Sequence, residues 1–351
     1  MTDPILRRRD KVIAMWLFAV IGMVFAMVVL GGVTRLTHSG LSMVEWKPLT
    51  GWLPPLNETE WQAAFGQYRQ FPEYAEFNPG MTLSGFKGIF WLEYMHRLWG
   101  RLIGTVFLLP GLYFLFRGWL SRRLAAKLLL AFVLGAAQGG LGWYMVKSGL
   151  IEHPDVSQYR LTAHLGLALA ILGYLSWLAL GLLRPEPDPE RIQQPGHLWG
   201  AAIALTGLIT VTALSGGFVA GLDAGFVYNT FPLMDGWLIP DGLFSLHPFW
   251  RNFFEDITTV QFVHRSLAEG VLLAVGAFWI GALRKRLASR TRLAVNIMGL
   301  AAAIQIGLGI STLLLQVPPP LAAGHQAWAV VLFVASLWVV HQLRPSSGAA
   351  I

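Results

Sequence analysis

Cysteine is absent from the 351-residue chain. Its absence excludes disulfides, thiolate metal sites, iron–sulfur clusters and cysteine nucleophiles together. A bound metal or cofactor must therefore be held by His, Met or carboxylate. Charge is also scarce: Asp, Glu, Lys and Arg make up 13% of the residues, against about 25% in an ordinary soluble domain. With 55% hydrophobic residues, 15 Trp and 21 Phe, this excludes a soluble globular protein and suits a bilayer with its aromatic interfaces.

Eight apolar stretches are long enough to cross a hydrocarbon core, which takes ~20 helical residues. They lie near 13–33, 89–116, 125–146, 160–183, 197–220, 258–283, 293–316 and 321–343. The first follows Arg7-Arg8-Arg9-Asp10-Lys11 with no small-residue cleavage site after it, so it reads as a retained span. No Arg- and Ser-rich mitochondrial presequence is evident. Eight spans put both termini on one side. Residues 1–12, 117–127, 184–196, 284–292 and 344–351 hold 16 Lys or Arg against 5 Asp or Glu, and the rest hold 10 against 14. The positive side is expected to be cytoplasmic. The net charge of +7 thus reports topology, and no nucleic-acid partner is expected. The two long outer connections, 34–88 and 221–257, are rich in Trp, Pro and Gly and are expected to lie over the helix ends as lids.

The chain repeats itself. Glu93-Tyr94-Met95-His96-Arg97 matches Gln261-Phe262-Val263-His264-Arg265, and Gln138-Gly139-Gly140-Leu141-Gly142 matches Gln305-Ile306-Gly307-Leu308-Gly309. Ala163-His164 matches Gly324-His325, and Gly31-Gly32 matches Gly216-Gly217. The expected architecture is an all-α integral membrane protein of two tandem four-helix bundles, residues 1–183 and 184–351. An even number of spans per half makes the repeats parallel, related by a pseudo-two-fold axis along the membrane normal.

His96, His164, His264 and His325 each fall near the outer end of an even-numbered span, at similar depth. Ionisable residues inside spans are costly and point to function. Each half supplies one His from its second span and one from its fourth, and bundle cores build cofactor sites from facing helices. Without Cys, bis-His haem ligation is the favoured mode, with the Gly-rich third span leaving room for the ring. Copper or zinc fits less well, since each half offers two ligands and no acidic cluster. Arg97 and Arg265 directly follow their histidines and suit haem propionates, or else snorkel to headgroups. Glu93 stands three residues before His96, whereas the matching residue is Gln261. One pocket thus has a carboxylate suited to accept a proton or stabilise charge, and the other does not. The alternative for Glu93 is a salt bridge with Arg97 or Arg101. His38, His153, His197, His247 and His341 lack repeat partners and read as interfacial or solvated.

Over nearly its whole length the chain resembles the haem A synthase family. The resemblance is carried by Gly31-Gly32-Val33-Thr34-Arg35-Leu36-Thr37 with Gly40-Leu41-Ser42, by the Glu93–Arg97 block, by Asn229-Thr230-Phe231-Pro232-Leu233-Met234, and by His164, His264 and His325. It implies oxidation of the C8 methyl of haem O to a formyl group, giving haem A for cytochrome c oxidase. It also implies that His96 and His164 hold the substrate haem, that His264 and His325 hold a resident haem b, and that Glu93 is the essential acid. The implied setting is the bacterial inner membrane, with haem O synthase and oxidase assembly factors as partners. Lipid surrounds the spans, and their apolar faces are compatible with a homo-oligomer. Some relatives carry a Cys pair in an outer loop; this chain has none, so a mechanism needing one does not transfer. Two other readings explain four histidines: a di-haem cytochrome b-like electron carrier, and a non-catalytic haem carrier or assembly factor.

Overall fold

Long apolar runs dictate the architecture, because in lipid every backbone N–H and C=O must be satisfied within its own helix. The computed structural model describes residues 4–47, 50–151, 156–183 and 196–345. In chain order its helices are α1 (Pro4–Leu36), α2 (Glu58–Tyr68), α3 (Pro72–Phe77), α4 (Leu83–Phe116), α5 (Arg122–Ile151), α6 (Gln158–Leu183), α7 (Gly196–Gly221), α8 (Asn252–Glu255), α9 (Ile257–Leu283), α10 (Ser289–Leu314) and α11 (Pro319–Leu343). Among the described residues there is no β-strand beyond one isolated bridge between Met234 and Trp237. Eight helices, α1, α4–α7 and α9–α11, are long and apolar enough to cross a membrane. All eight expected spans are therefore present. Their lateral faces keep large apolar side chains exposed, such as Phe116 at 83% and Leu273 at 73%, as a lipid solvent permits.

Two compact units are distinguished, residues 22–171 and residues 1–21 with 172–351. In the second, α7 packs on α9, α9 on α10, α10 on α11 and α11 on α7, closing a ring of four helices. The start of α1 and the end of α6 belong to this unit too; Phe333 and Leu337 of α11, for example, lie within van der Waals reach of Gly173.

In the first unit, the 34–88 connection contains two helices that composition had concealed. Asn57 caps α2, its Oδ1 accepting from the Glu60 N–H at 2.9 Å while Glu60 accepts from Asn57 Nδ2 and the Leu56 N–H, a reciprocal cap. Trp61, Phe65 and Tyr68 of α2 then lie on one face and bury themselves against Phe86, Phe90 and Tyr94 of α4. Edge-to-face pairs such as Trp61–Phe90, at 4.9 Å between centroids, order this small core. The connection is thus a packed helical layer on α4 and not merely a loop. In the second unit, the 221–257 connection stays mostly irregular. Asn229 Nδ2 ties it to α10 through the Leu313 carbonyl (2.9 Å) and to its own start through that of Gly225 (2.8 Å).

The solvated reading holds for His38, His197 and His247, which are exposed. It fails for His341, whose exposure is 0%. The imidazole lies edge-on to Trp177, and its Nε2 pairs with Arg344. Its place at the end of a span suggested solvent, but α6 covers it. His153, residues 184–195 and the two chain ends lie outside the described residues.

Candidate haem-binding site

Each of the four span histidines rests against a glycine of a neighbouring helix. A Cβ built on Gly31 of α1 would lie 3.1 Å from His96 Cε1, and one on Gly142 of α5 would lie 3.2 Å from His164 Cε1. In the other unit the corresponding distances are 3.1 Å from Gly216 of α7 to His264 and 2.8 Å from Gly309 of α10 to His325. Even alanine would therefore crowd each ring. The glycines sit at repeat-related positions, and they reveal a role beyond room for a macrocycle: each one seats an imidazole. His96 and His164 are close enough to interact electrostatically, as are His264 and His325. All four histidines are partly buried, and Nε2 of none of them makes a hydrogen bond. Nδ1 of His164 and of His325 is buried without a partner of normal hydrogen-bond geometry.

The other two Nδ1 atoms meet hydroxyls. His264 Nδ1 lies 2.8 Å from Ser215 Oγ, and His96 Nδ1 lies 3.4 Å from Thr34 Oγ1. Ser215 is unmarked in the sequence, and Thr34 enters it only within the Gly31–Thr37 motif, with no role of its own. Both lie within one helical turn of a seating glycine, which is the signal that could have found them. Among the described residues no three His, Asp or Glu converge on a common point. Each unit thus presents one pair of imidazoles with free Nε2 atoms, seated where a Cβ would not fit. That donor set suits haem iron.

Glu93 is 3% exposed. Its Oε2 accepts from Ser42 Oγ at 2.8 Å and from the Met43 N–H at 2.7 Å, and its Oε1 accepts from Arg97 Nη2 at 2.5 Å. The salt bridge weighed as the alternative role is therefore present. Arg97 donates as well to the carbonyls of Met43 (2.6 Å) and Glu45 (2.8 Å), and Arg101 donates to that of Lys47 (2.9 Å). Glu93, Arg97 and Arg101 recur every four residues, so they form one stripe along α4. This stripe fastens the 34–88 connection to the helix.

The repeat-related stripe on α9 does the same work with different polarity. Gln261 Nε2 donates to the Tyr228 carbonyl at 3.1 Å, where Glu93 accepts from an N–H. Arg265 donates to Tyr228 (2.6 Å) and Thr230 (2.8 Å). Its Nε is buried without a hydrogen-bond partner. The Glu93/Gln261 difference thus matches the polarity of the backbone group each one meets.

Eight apolar spans define an all-α integral membrane protein, and each of its two units carries one pair of seated imidazoles. Comparison with known proteins narrows this. The sequence profile of a family described as cytochrome oxidase assembly protein (COX15-CtaA) matches residues 14–337, and the chain belongs to that family. It is 54% identical over 335 residues to "Heme A synthase" of Nitrosospira multiformis, covering 95% of this chain and 94% of that one. Similarity to "Heme A synthase COX15" of Bos taurus is 47% over 341 residues, covering 95% and 83%. "Heme A synthase" of Paramagnetospirillum magneticum is 52% identical over 333 residues, covering 94% and 93%.

Proposed function

We propose that the chain is a haem A synthase that oxidises the C8 methyl of haem O to a formyl group, supplying haem A for cytochrome c oxidase. Four imidazoles in two seated pairs, on a chain about half identical to proteins of that name, carry the reading. The same names favour a synthase over an electron carrier or a haem carrier. The oxidation takes one oxygen atom from water and releases four protons and four electrons, which an external electron acceptor must take up, passing through an alcohol and then a hydrate that loses water. Residues 1–183 form the substrate half, where His96 and His164 hold haem O by its iron. Residues 184–351 form the other half, where His264 and His325 would hold a haem b. That group, when bound, supplies one-electron redox chemistry.

The chain's own residues then have distinct tasks. Glu93, one turn from His96 on α4, would hold negative charge beside the substrate pocket and accept a proton released there. Arg97 keeps that carboxylate oriented and closes the 34–88 connection over the site against water. Arg265, next to His264 on α9, would pair with a haem propionate. We place the protein in the bacterial inner membrane, with both termini cytoplasmic and both sites toward the outer side. Haem O synthase and oxidase assembly factors are its expected partners. The test is expression with a haem O source in cells that lack haem A, followed by chromatography and mass analysis of extracted haems. Wild type should yield haem A, while E93Q should retain haem and yield none. Undiminished haem A from E93Q would remove Glu93 from the chemistry, and no haem A from wild type would refute the synthase reading.

A further inference from the structure

The hydroxyls facing His264 and His96 each have one proton, and the structure indicates where it goes. Ser215 Oγ donates to the Thr212 carbonyl at 2.8 Å, and Thr34 Oγ1 donates to the Leu30 carbonyl at 2.7 Å. Both are helical back-bonds to carbonyls that can only accept. If the histidine Nδ1 were unprotonated, it and the carbonyl would compete for that one proton, and one acceptor would go without. A protonated Nδ1 satisfies both, since the hydroxyl can then accept from the ring while it donates to the helix. The glycine seats at Gly216 and Gly31 press on Cε1 and hold the rings in this orientation.

We propose that Ser215 and Thr34 are positioning residues that fix His264 and His96 as the Nδ1–H tautomer, leaving the Nε2 lone pair toward the bound iron, and that Ser215 makes His264 the stronger electron donor of the two. The inference rests on the reading that these histidines ligate haem. A ring N–H that donates to an oxygen raises the basicity of the opposite nitrogen. The 2.8 Å contact at Ser215 is a full hydrogen bond, whereas the 3.4 Å contact at Thr34 is at the edge of one. The electron-richer ligand therefore belongs to the second unit, where it favours the ferric state. Nδ1 of His164 and of His325 meets no hydroxyl, so in each pair only one ring has a hydroxyl partner.

The test uses full-length protein purified from cells without a haem O source, so that only the second unit is loaded. At the ambient potential where wild type is half reduced, the optical spectrum reads the ratio of reduced to oxidised haem. S215V and S215A should raise this ratio about two- to tenfold, the range of one lost hydrogen bond. S215T keeps the hydroxyl and should stay within about twofold of wild type. In the first unit, loaded with haem O, T34V should shift the ratio less than S215V does. An unchanged ratio in S215V and S215A overturns the inference, and so does an equal shift in S215T. Should both hydroxyl-free variants fail to accumulate while S215T does, the hydroxyl serves the fold and the inference also falls. Wild type that binds no haem would instead refute the reading beneath it.

Discussion

The glycine at position 309 gives the sharpest mechanical test of the imidazole seats. Replacing it with alanine places a Cβ 2.8 Å from His325 Cε1, so the ring must retreat by about 0.6 Å to reach ordinary contact at 3.4 Å. Overpacking of this kind costs about 1–3 kcal/mol. Gly307, two residues away on α10, has nothing within 4 Å of its added Cβ. There alanine should gain up to about 1 kcal/mol from helix propensity alone. The two variants have the same composition and differ by two positions, yet they should move in opposite directions. The assay is haem per polypeptide, from the pyridine haemochrome spectrum of purified protein, together with thermal unfolding of the same samples. G307A should hold haem as wild type does and unfold slightly later. G309A should retain haem about 10- to 100-fold more weakly, the usual consequence of disturbing groups that orient a metal ligand. Equal haem retention in the two variants would show that the seats do not position the histidines, and the account of the site would lose its geometric basis.

Two further outcomes follow from the connections. Phe86 is fully buried in the aromatic core between α2 and α4, so F86A should destabilise by about 3–5 kcal/mol. Limited proteolysis should then cut within residues 58–82 while the haem proposed to sit on His264 and His325 stays bound. Protection of that segment in F86A would contradict a core formed there. Asn229 donates to two carbonyls, and N229A leaves both without that donor at about 1–3 kcal/mol. Hydrogen exchange should rise across 222–256 with little change in the α9–α11 core, and unchanged exchange would count against the tie.

The spans were legible because a bilayer demands long apolar runs, and each expected span coincides with a helix to within a few residues at most ends. The four histidines were legible through the internal repeat, which also marked Gly31, Gly142, Gly216 and Gly309 without revealing their use. That use depends on side-chain distance across two helices, which spacing along one chain does not encode. The contacts of Ser215 and Thr34 with histidines were not legible because a hydroxyl in a span commonly bonds back to its own helix. The α2 helix did carry a signal, an Asn57-to-Glu60 cap followed by Trp61, Phe65 and Tyr68 at helical spacing. The surrounding Trp and Pro masked it. His341 was misjudged because the side chain covering it, Trp177, is far away in sequence. Arg97 was expected to face propionates, and its partners at Met43 and Glu45 arise from a connection whose path the sequence left open.

The central claim is that two unlike haem pockets share one chain, one for substrate and one for a resident group. Its most direct test is to purify the detergent-solubilised protein from cells that make haem O, extract its haems in acid solvent, and identify them by chromatography and mass. The account predicts haem b together with haem O, haem A or a hydroxylated intermediate. Two copies of haem b and nothing else would contradict it, and would make the four histidines those of an electron carrier.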